Sequence, residues 1–136
     1  MTIKIHKQYI KDLSIENPNP FKFFDNEEGE KNVDVNYDIR AQKYNDKIYE
    51  LSFSLSMNIK SEEGNSAYIL ELIYAGIFEI DSDNVEEVLF IQCAELLFPF
   101  IRQLISDCTA NSGIKTIILD LIDFKKLYQS SKKSVN

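Results

Sequence analysis

Between Tyr49 and Lys60 the chain reads YELSFSLSMNIK. Leu51, Phe53, Leu55, Met57 and Ile59 fall on alternate positions, with Ser52, Ser54, Ser56 and Asn58 between them. A period of two puts the first set on one face of a β-strand and the second on the other. The flanking text supplies partners. VDVNYDIRAQ (33–42) sets Val33, Val35, Tyr37 and Ile39 against Asp34, Asn36, Asp38 and Arg40, and YNDK between the two segments reads as a hairpin turn. After the turn text SEEGN, SAYILELIYAGIFEID (66–81) is apolar on both sides. Tyr68, Leu70, Leu72 and Tyr74 share one face, Ile69, Ile73, Ala75 and Ile77 the other, and Glu71 interrupts the second series. Near the amino end, IKIHKQYIKDLSIEN begins in alternation and then blurs at Ile10 and Leu13. A strand to about Ile15 that carries a bulge accommodates both halves. NPNP ends it, because proline lacks a ladder donor and restricts the residue before it. The aromatic patch FKFF and the acidic DNEEGEKN then read as a crossing loop. The expectation is a hairpin-linked antiparallel meander of four strands.

At SDNVEEVLF the period changes. Apolar residues recur at 89, 93, 96, 97, 100, 101, 104, 105 and 108, an amphipathic helix pattern. Asp83 or Asn84 suits its cap, and Glu86 and Glu87 suit its positive end. Pro99 cannot donate to the helical ladder, which predicts a kink or a break near Leu97. Gly113 suits a left-handed cap at the far end. KTIILDLI is ambiguous between extended cover and the approach to a helix, and DFKKLYQSS suits a short helix capped by Asp123 with Phe124, Leu127 and Tyr128 on one face. The organisation expected is a single α+β domain over 1–136: sheet region 1–80, long helical region 81–113, connection and short helix 114–129, and a short mobile tail 130–136.

Composition narrows the function. Apolar residues at 44% exclude global disorder, and a formal charge of −7 disfavours nucleic acid and anionic lipid as partners. Cys93 and Cys108 lie inside the helical region, where a straight helix separates them by roughly 22 Å. That is too far for a disulfide, so both read as reduced small hydrophobes. His6 is the one histidine, which leaves no metal spacing and no nucleophile–base set. Gly29, Gly64, Gly76 and Gly113 form no phosphate loop, and Glu62–Glu63 and Glu86–Glu87 read as solvated acids. No signal peptide is legible, and no run reads as membrane-spanning. The reading is a binding protein rather than an enzyme, with no cofactor or metal. Two apolar faces on one sheet need a second cover, which predicts self-association, with Ile69, Ile73 and Ile77 as candidates.

Five stretches in order, YIKDLSIENPNP, VNYDIRAQ, YELSFSLSMNI, LELIYAGIFEI and CAELLFPFIRQLISD, resemble the SecB family of bacterial protein-export chaperones. AGIFEI and LLFPFIRQLIS are the most specific, and the likeness covers roughly residues 3 to 128. The resemblance implies a four-stranded sheet with a long helix and a shorter carboxy-terminal one, sheets paired between protomers, and a homotetramer built as a dimer of dimers through the long helices. It implies a cytoplasmic, ATP-independent holdase that keeps precursors unfolded and delivers them to the translocase ATPase SecA, without nucleic acid and without stable membrane insertion. On that resemblance the client groove is expected from Phe21, Phe23, Phe24, Phe98 and Phe100, with Tyr49, Phe53 and Leu55 from the sheet. SecA docking is expected at Asp12, Glu16 and Glu71, and helix-side assembly at Leu97, Ile101 and Leu104. Three features depart from the family text: IYAGIF has Tyr74 and Ala75 where relatives often carry smaller or polar residues and a second glycine, IILDLIDF lacks the usual proline, and QSSKKSVN is brief and basic where many relatives carry a longer tail that also contacts the ATPase. Alternatives of other kinds are a related chaperone for an antitoxin or another cytosolic client, and a structural oligomerisation module.

Overall fold

The structure, a computed structural model, describes residues 2–18, 20–21, 33–60 and 66–131. Each alternating segment is a strand: β1 (Thr2–Glu16), β2 (Val33–Asn45), β3 (Ile48–Lys60) and β4 (Ser66–Asp81). All pairs are antiparallel, but the order across the sheet is β1-β4-β3-β2. The expected four-strand meander is therefore corrected to a three-strand meander, β2-β3-β4, with β1 added beyond β4. Glu16 and Val33 therefore belong to opposite edges of the sheet, and most of the expected crossing loop between them lies outside the described residues.

Register explains the blurred pattern of β1. The Cα partners shift between Ile5 and Lys7 and again between Ile10 and Asp12, leaving His6 and Lys11 as extra residues. Each bulge reverses the parity of alternation. Ile3, Ile5, Gln8, Ile10, Leu13 and Ile15 consequently share the face of the even-numbered residues of β4, opposite Ile80, Phe78, Gly76, Tyr74, Leu72 and Leu70. The expected bulge is present, and there are two of them.

One face of the sheet carries the core. Leu51, Phe53, Leu55, Met57 and Ile59 of β3 are buried there with Tyr68, Leu70, Leu72 and Phe78 of β4. The cover is α1 (Val85–Asn111), which contributes Leu89, Phe90, Cys93, Ala94, Leu97, Phe98, Ile101 and Ile105 to the same core. Close approach is possible because Gly76 has no side chain: a Cβ there would lie 3.1 Å from Leu97 Cδ2.

α1 does not break at Leu97. Its α-helical span Ala94–Asn111 runs through Pro99, and the departure from α geometry comes earlier, as a π segment at Val88–Cys93. Pro99 and Glu95 are both exposed, so the carbonyl that Pro99 leaves without a donor lies on the wet side of the helix. Asn84 occupies the cap position without a side-chain hydrogen bond. At the other end Gly113 adopts φ 77°, the left-handed cap expected of it. By length and composition alone α1 would span a bilayer, contrary to the sequence reading that no segment qualifies; half of its most apolar window is buried inside the protein, as in a core helix.

Beyond Gly113 the chain is neither helix nor strand until α2 (Phe124–Ser131). This connector is fastened to α1 at one place. The Ile117 N–H donates to Thr109 Oγ1 at 3.0 Å, and Ser106 Oγ donates to the Ile117 carbonyl at 3.2 Å. Thr109 is fully buried and its hydroxyl also donates to Ile105 O at 2.8 Å, so every polar atom at this joint is satisfied. Asp123 caps α2 by accepting from the Lys126 N–H at 3.1 Å. Phe124 then enters the core against Phe53 and Phe98, with ring centroids 6.1 and 5.6 Å away, and Tyr128 stacks on Phe90 at 5.8 Å.

Candidate functional site: an apolar helix side and an acidic sheet face

The two faces of the protomer present different chemistry. On the helix side, α1 leaves part of the sheet uncovered. Ile5, Ile10, Leu13 and Ile15 of β1 point toward that side yet are between 38% and 44% exposed. Leu96 and Phe100 on α1 are also exposed, and the Phe100 ring stacks on Tyr74 at 6.5 Å. Tyr74 is in turn the register partner of Ile10, so strand and helix contribute to a shared apolar strip. Further along the chain, Ile118 and Leu121 of the connector and Leu127 of α2 are exposed, the first two at 66% and 79%. Leu127 also borders a small apolar notch with Ile39, Phe90 and Tyr128. Uncovered apolar side chains on this scale mark surfaces that bind other polypeptide.

The expected groove residues divide. Phe21 is exposed, as is Phe100, whereas Phe23 and Phe24 lie outside the described residues. Tyr49, Phe53, Leu55 and Phe98 are core residues in the protomer, with Phe53 at the centre of an aromatic cluster that includes Tyr37, Phe98 and Phe124. The expected assembly residues divide similarly. Leu97 and Ile101 are fully buried on the sheet-facing side of α1, Leu104 is half-buried, and Ile69, Ile73 and Ile77 are half-buried on the opposite face of the sheet. The strip of Ile5, Ile10, Leu13, Ile15 and Leu96 was absent from both expectations. Its signal was present in β1, but two parity reversals hid it.

The outer face carries the odd-numbered residues of β4 and the serines of β3, and no element covers it among the described residues. Register sets Asp12, Ile73, Ser54 and Asp38 in one row, Ser14, Glu71, Ser56 and Asn36 in the next, and Glu16, Ile69, Asn58 and Asp34 in a third. The three docking candidates Asp12, Glu16 and Glu71 are thus brought onto one surface, all exposed. Glu71 meets no burial penalty despite its apolar strand, because Ser14 and Ser56 flank it. The small side chains of β3 leave an open depression bordered by Asp12, Asp38 and Glu71.

One carboxylate on this face is different. Glu50 is only 5% exposed and accepts from the Tyr9 hydroxyl on one oxygen and from Lys11 Nζ, at 2.8 Å, on the other. Ser52 Oγ and Tyr44 OH lie 3.4 Å from that second oxygen. Burial by itself pushes the carboxyl up, but the hydrogen bonds from Lys11 and Tyr9 and the Lys11 charge outweigh it and hold Glu50 below the ordinary value. Burial together with the Glu50 hydrogen bond pushes the Tyr9 phenol well up, so it stays a donor. On α1, burial pushes the Cys93 thiol up to about 12, which leaves it an unreactive core residue. No cluster of metal-ligating side chains occurs among the described residues.

Comparison with known proteins supplies the context. The family model for preprotein translocase subunit SecB matches residues 1–135. The protein-export protein SecB of Bartonella bacilliformis is 39% identical over 126 residues, covering 90% of this chain and 78% of that protein. Its namesake in Rhodospirillum centenum is 33% identical over 133 residues, covering 95% and 79%. Among solved structures, the Mycobacterium tuberculosis Rv1957 SecB-like chaperone, in complex with a ChAD peptide from the Rv1956 HigA1 antitoxin, superposes with a TM-score of 0.67 at 11% identity. The match covers 88% of this chain and 90% of that one. That likeness shows the fold. The class is that of the protein-export chaperones. Within it, the chain belongs to the SecB family.

Proposed function

We propose that the protein is an ATP-independent holdase of the bacterial cytoplasm that keeps precursor proteins unfolded and delivers them to the SecA ATPase. It acts as a homotetramer, a dimer of dimers. The observation that carries the reading is the division of the protomer into an uncovered apolar helix side and an exposed acidic sheet face. A client without fixed structure offers apolar side chains in no set order, so its holder needs broad apolar contact rather than a shaped pocket. Each Leu or Phe withdrawn from water contributes about 1.5–3 kcal/mol before entropy costs. Several weak contacts on one particle then reinforce one another through effective concentration.

Within this reading Phe21, Phe23, Phe24 and Phe100 serve the client. Tyr49, Phe53, Leu55 and Phe98 reach one only where α1 or α2 moves from the sheet. Ile5, Ile10, Leu13, Ile15 and Leu96 join Leu104 as the surface that a second protomer covers. Asp12, Glu16 and Glu71 dock SecA, because a field of like charges attracts basic groups and loses strength with salt. Native mass spectrometry with and without a denatured precursor tests the first part: a tetramer that gains client mass supports it, and a monomer that ignores the precursor defeats it. Glu71→Lys tests the second. SecA binding should weaken while client capture persists, and equal loss of both would refute the division.

A second reading is favoured by the antitoxin peptide held by the Rv1957 structure. In that reading the clients of this chain are an antitoxin or other cytosolic proteins rather than exported precursors. The two separate on SecA: a chaperone of that kind captures clients and does not bind the ATPase.

A further inference from the structure

The bulges of β1 and the buried carboxylate of β3 belong to one device. Each extra residue of β1 is a cation-forming side chain that meets a carboxylate on the outer face. His6 Nε2 lies 3.1 Å from Glu79 Oε1, and Lys11 Nζ lies 2.8 Å from Glu50 Oε1. The second pair decides which way the next residue faces. With Lys11 bulged, Asp12 stands opposite Ile73 on the outer face and Leu13 opposite Leu72 on the helix side. With the bulge removed and Ile10 held in place, every later residue of the strand changes side, carrying Asp12 and Glu16 inward and Leu13 and Ile15 outward.

Hydrophobic pattern holds this register weakly. Ile10, Leu13 and Ile15 remain substantially exposed in the protomer, and β1 is an edge strand paired on one side only. The polar contacts are better placed to hold it. Tyr9 stands opposite Ala75, which in turn stands opposite Ser52, and these small side chains leave room for the phenol to reach across β4 to Glu50. Both Glu50 oxygens are engaged and the side chain is buried, so Glu50 itself offers little to a partner.

We propose that Glu50 is a positioning residue for docking: through Tyr9 and Lys11 it fixes the bulged register of β1 that turns Asp12 and Glu16 outward beside Glu71. The inference rests on the docking reading given above. Glu50 is a carboxylate at neutral pH, as the contact with Lys11 requires, since its pKa lies below the ordinary value.

The test uses the full chain, with Glu50→Gln, Lys11→Met and Glu71→Lys compared for SecA binding, captured precursor, oligomer mass and amide exchange along β1. Glu50→Gln should weaken SecA binding by about ten-fold and speed exchange at residues 10–16, with precursor capture retained; some loss of oligomer mass is expected as well, because Leu13 and Ile15 turn with the same register. Lys11→Met is the sharper arm, and because Lys11 is exposed it keeps the test alive where Glu50→Gln fails to fold. Removing a positive charge beside an acidic face would, by electrostatics alone, tighten binding of a basic partner; loss of position weakens it. Parental or tighter binding by both variants, with Glu71→Lys still defective, overturns the role of Glu50 and leaves the docking reading intact. Parental binding by Glu71→Lys overturns the docking reading and this inference with it.

Discussion

At Gly76 an added Cβ would lie 2.8 Å from Phe78 Cε2 and 3.1 Å from Leu97 Cδ2. The Phe78 ring is fully buried and has no free direction in which to retreat. Gly76→Ala should therefore destabilise the protein by about 1–3 kcal/mol, read from the urea midpoint; an unchanged midpoint would mean that α1 lifts at no cost. Glu50 supplies a second measurement. Its folded pKa lies below the unfolded value, so its stabilisation is present above the unfolded carboxyl pKa of about 4.3 and disappears as pH falls through the folded value. Parental protein should lose more stability on acidification below that point than Glu50→Gln does, and parallel pH curves would show that the carboxylate contributes nothing. Residue roles were legible where periodicity spoke clearly. The alternation that identified β3 also dictates that Phe53 and Leu55 face the helix with Leu51 and Met57, and they are buried for that reason. Glu50 was not legible, because its partners Tyr9 and Lys11 lie 41 and 39 residues away and reach it across an intervening strand.

Among the elements, the connector 115–123 was the least readable. Its text is apolar enough for a helix or a strand, and the structure makes it neither. Its course is set by Thr109, a buried hydroxyl that receives the Ile117 N–H. Thr109→Val keeps the shape and removes that acceptor, leaving an unsatisfied donor that costs about 1–3 kcal/mol. Exchange at Ile117 should accelerate and α2 should become easier to cleave with protease, while the sheet retains its protection; unchanged exchange would locate the fastening elsewhere. The short helix itself was readable from Asp123 and its apolar face. The break expected near Leu97 does not occur, because Pro99 lies on the solvent side, where a lost hydrogen bond is exchanged for water rather than for a void. β1 sits between these cases: the sequence announced an irregularity, and only the register showed that two reversals cancel.

Across the whole molecule, the sheet separates two environments. The covered side ends in an apolar strip at β1 and Leu96, and the proposed assembly accounts for that strip by seating another protomer there. Ile10→Glu with Leu13→Glu should reduce the native mass of the assembly, with the far-ultraviolet dichroism of the protomer retained. An intact tetramer would move the contact away from β1. At the same scale α1, whose apolar length suits a bilayer by count, is placed on the sheet as the core of the protein. The strand order was hidden from sequence because adjacent alternating segments suggest neighbours, and nothing local says that the first strand waits for the fourth.

That wait has a kinetic meaning. Thr2 stands opposite Asp81, so the amino-terminal strand has no complete template until residues up to about 81 have left the ribosome. The nascent hairpin of β2 and β3 can form sooner, because it needs only residues 33–60. Until β4 follows, Ile3, Ile5, Ile10, Leu13 and Ile15 stay unmatched, and over that interval the new chain resembles the unfolded polypeptides that such chaperones hold.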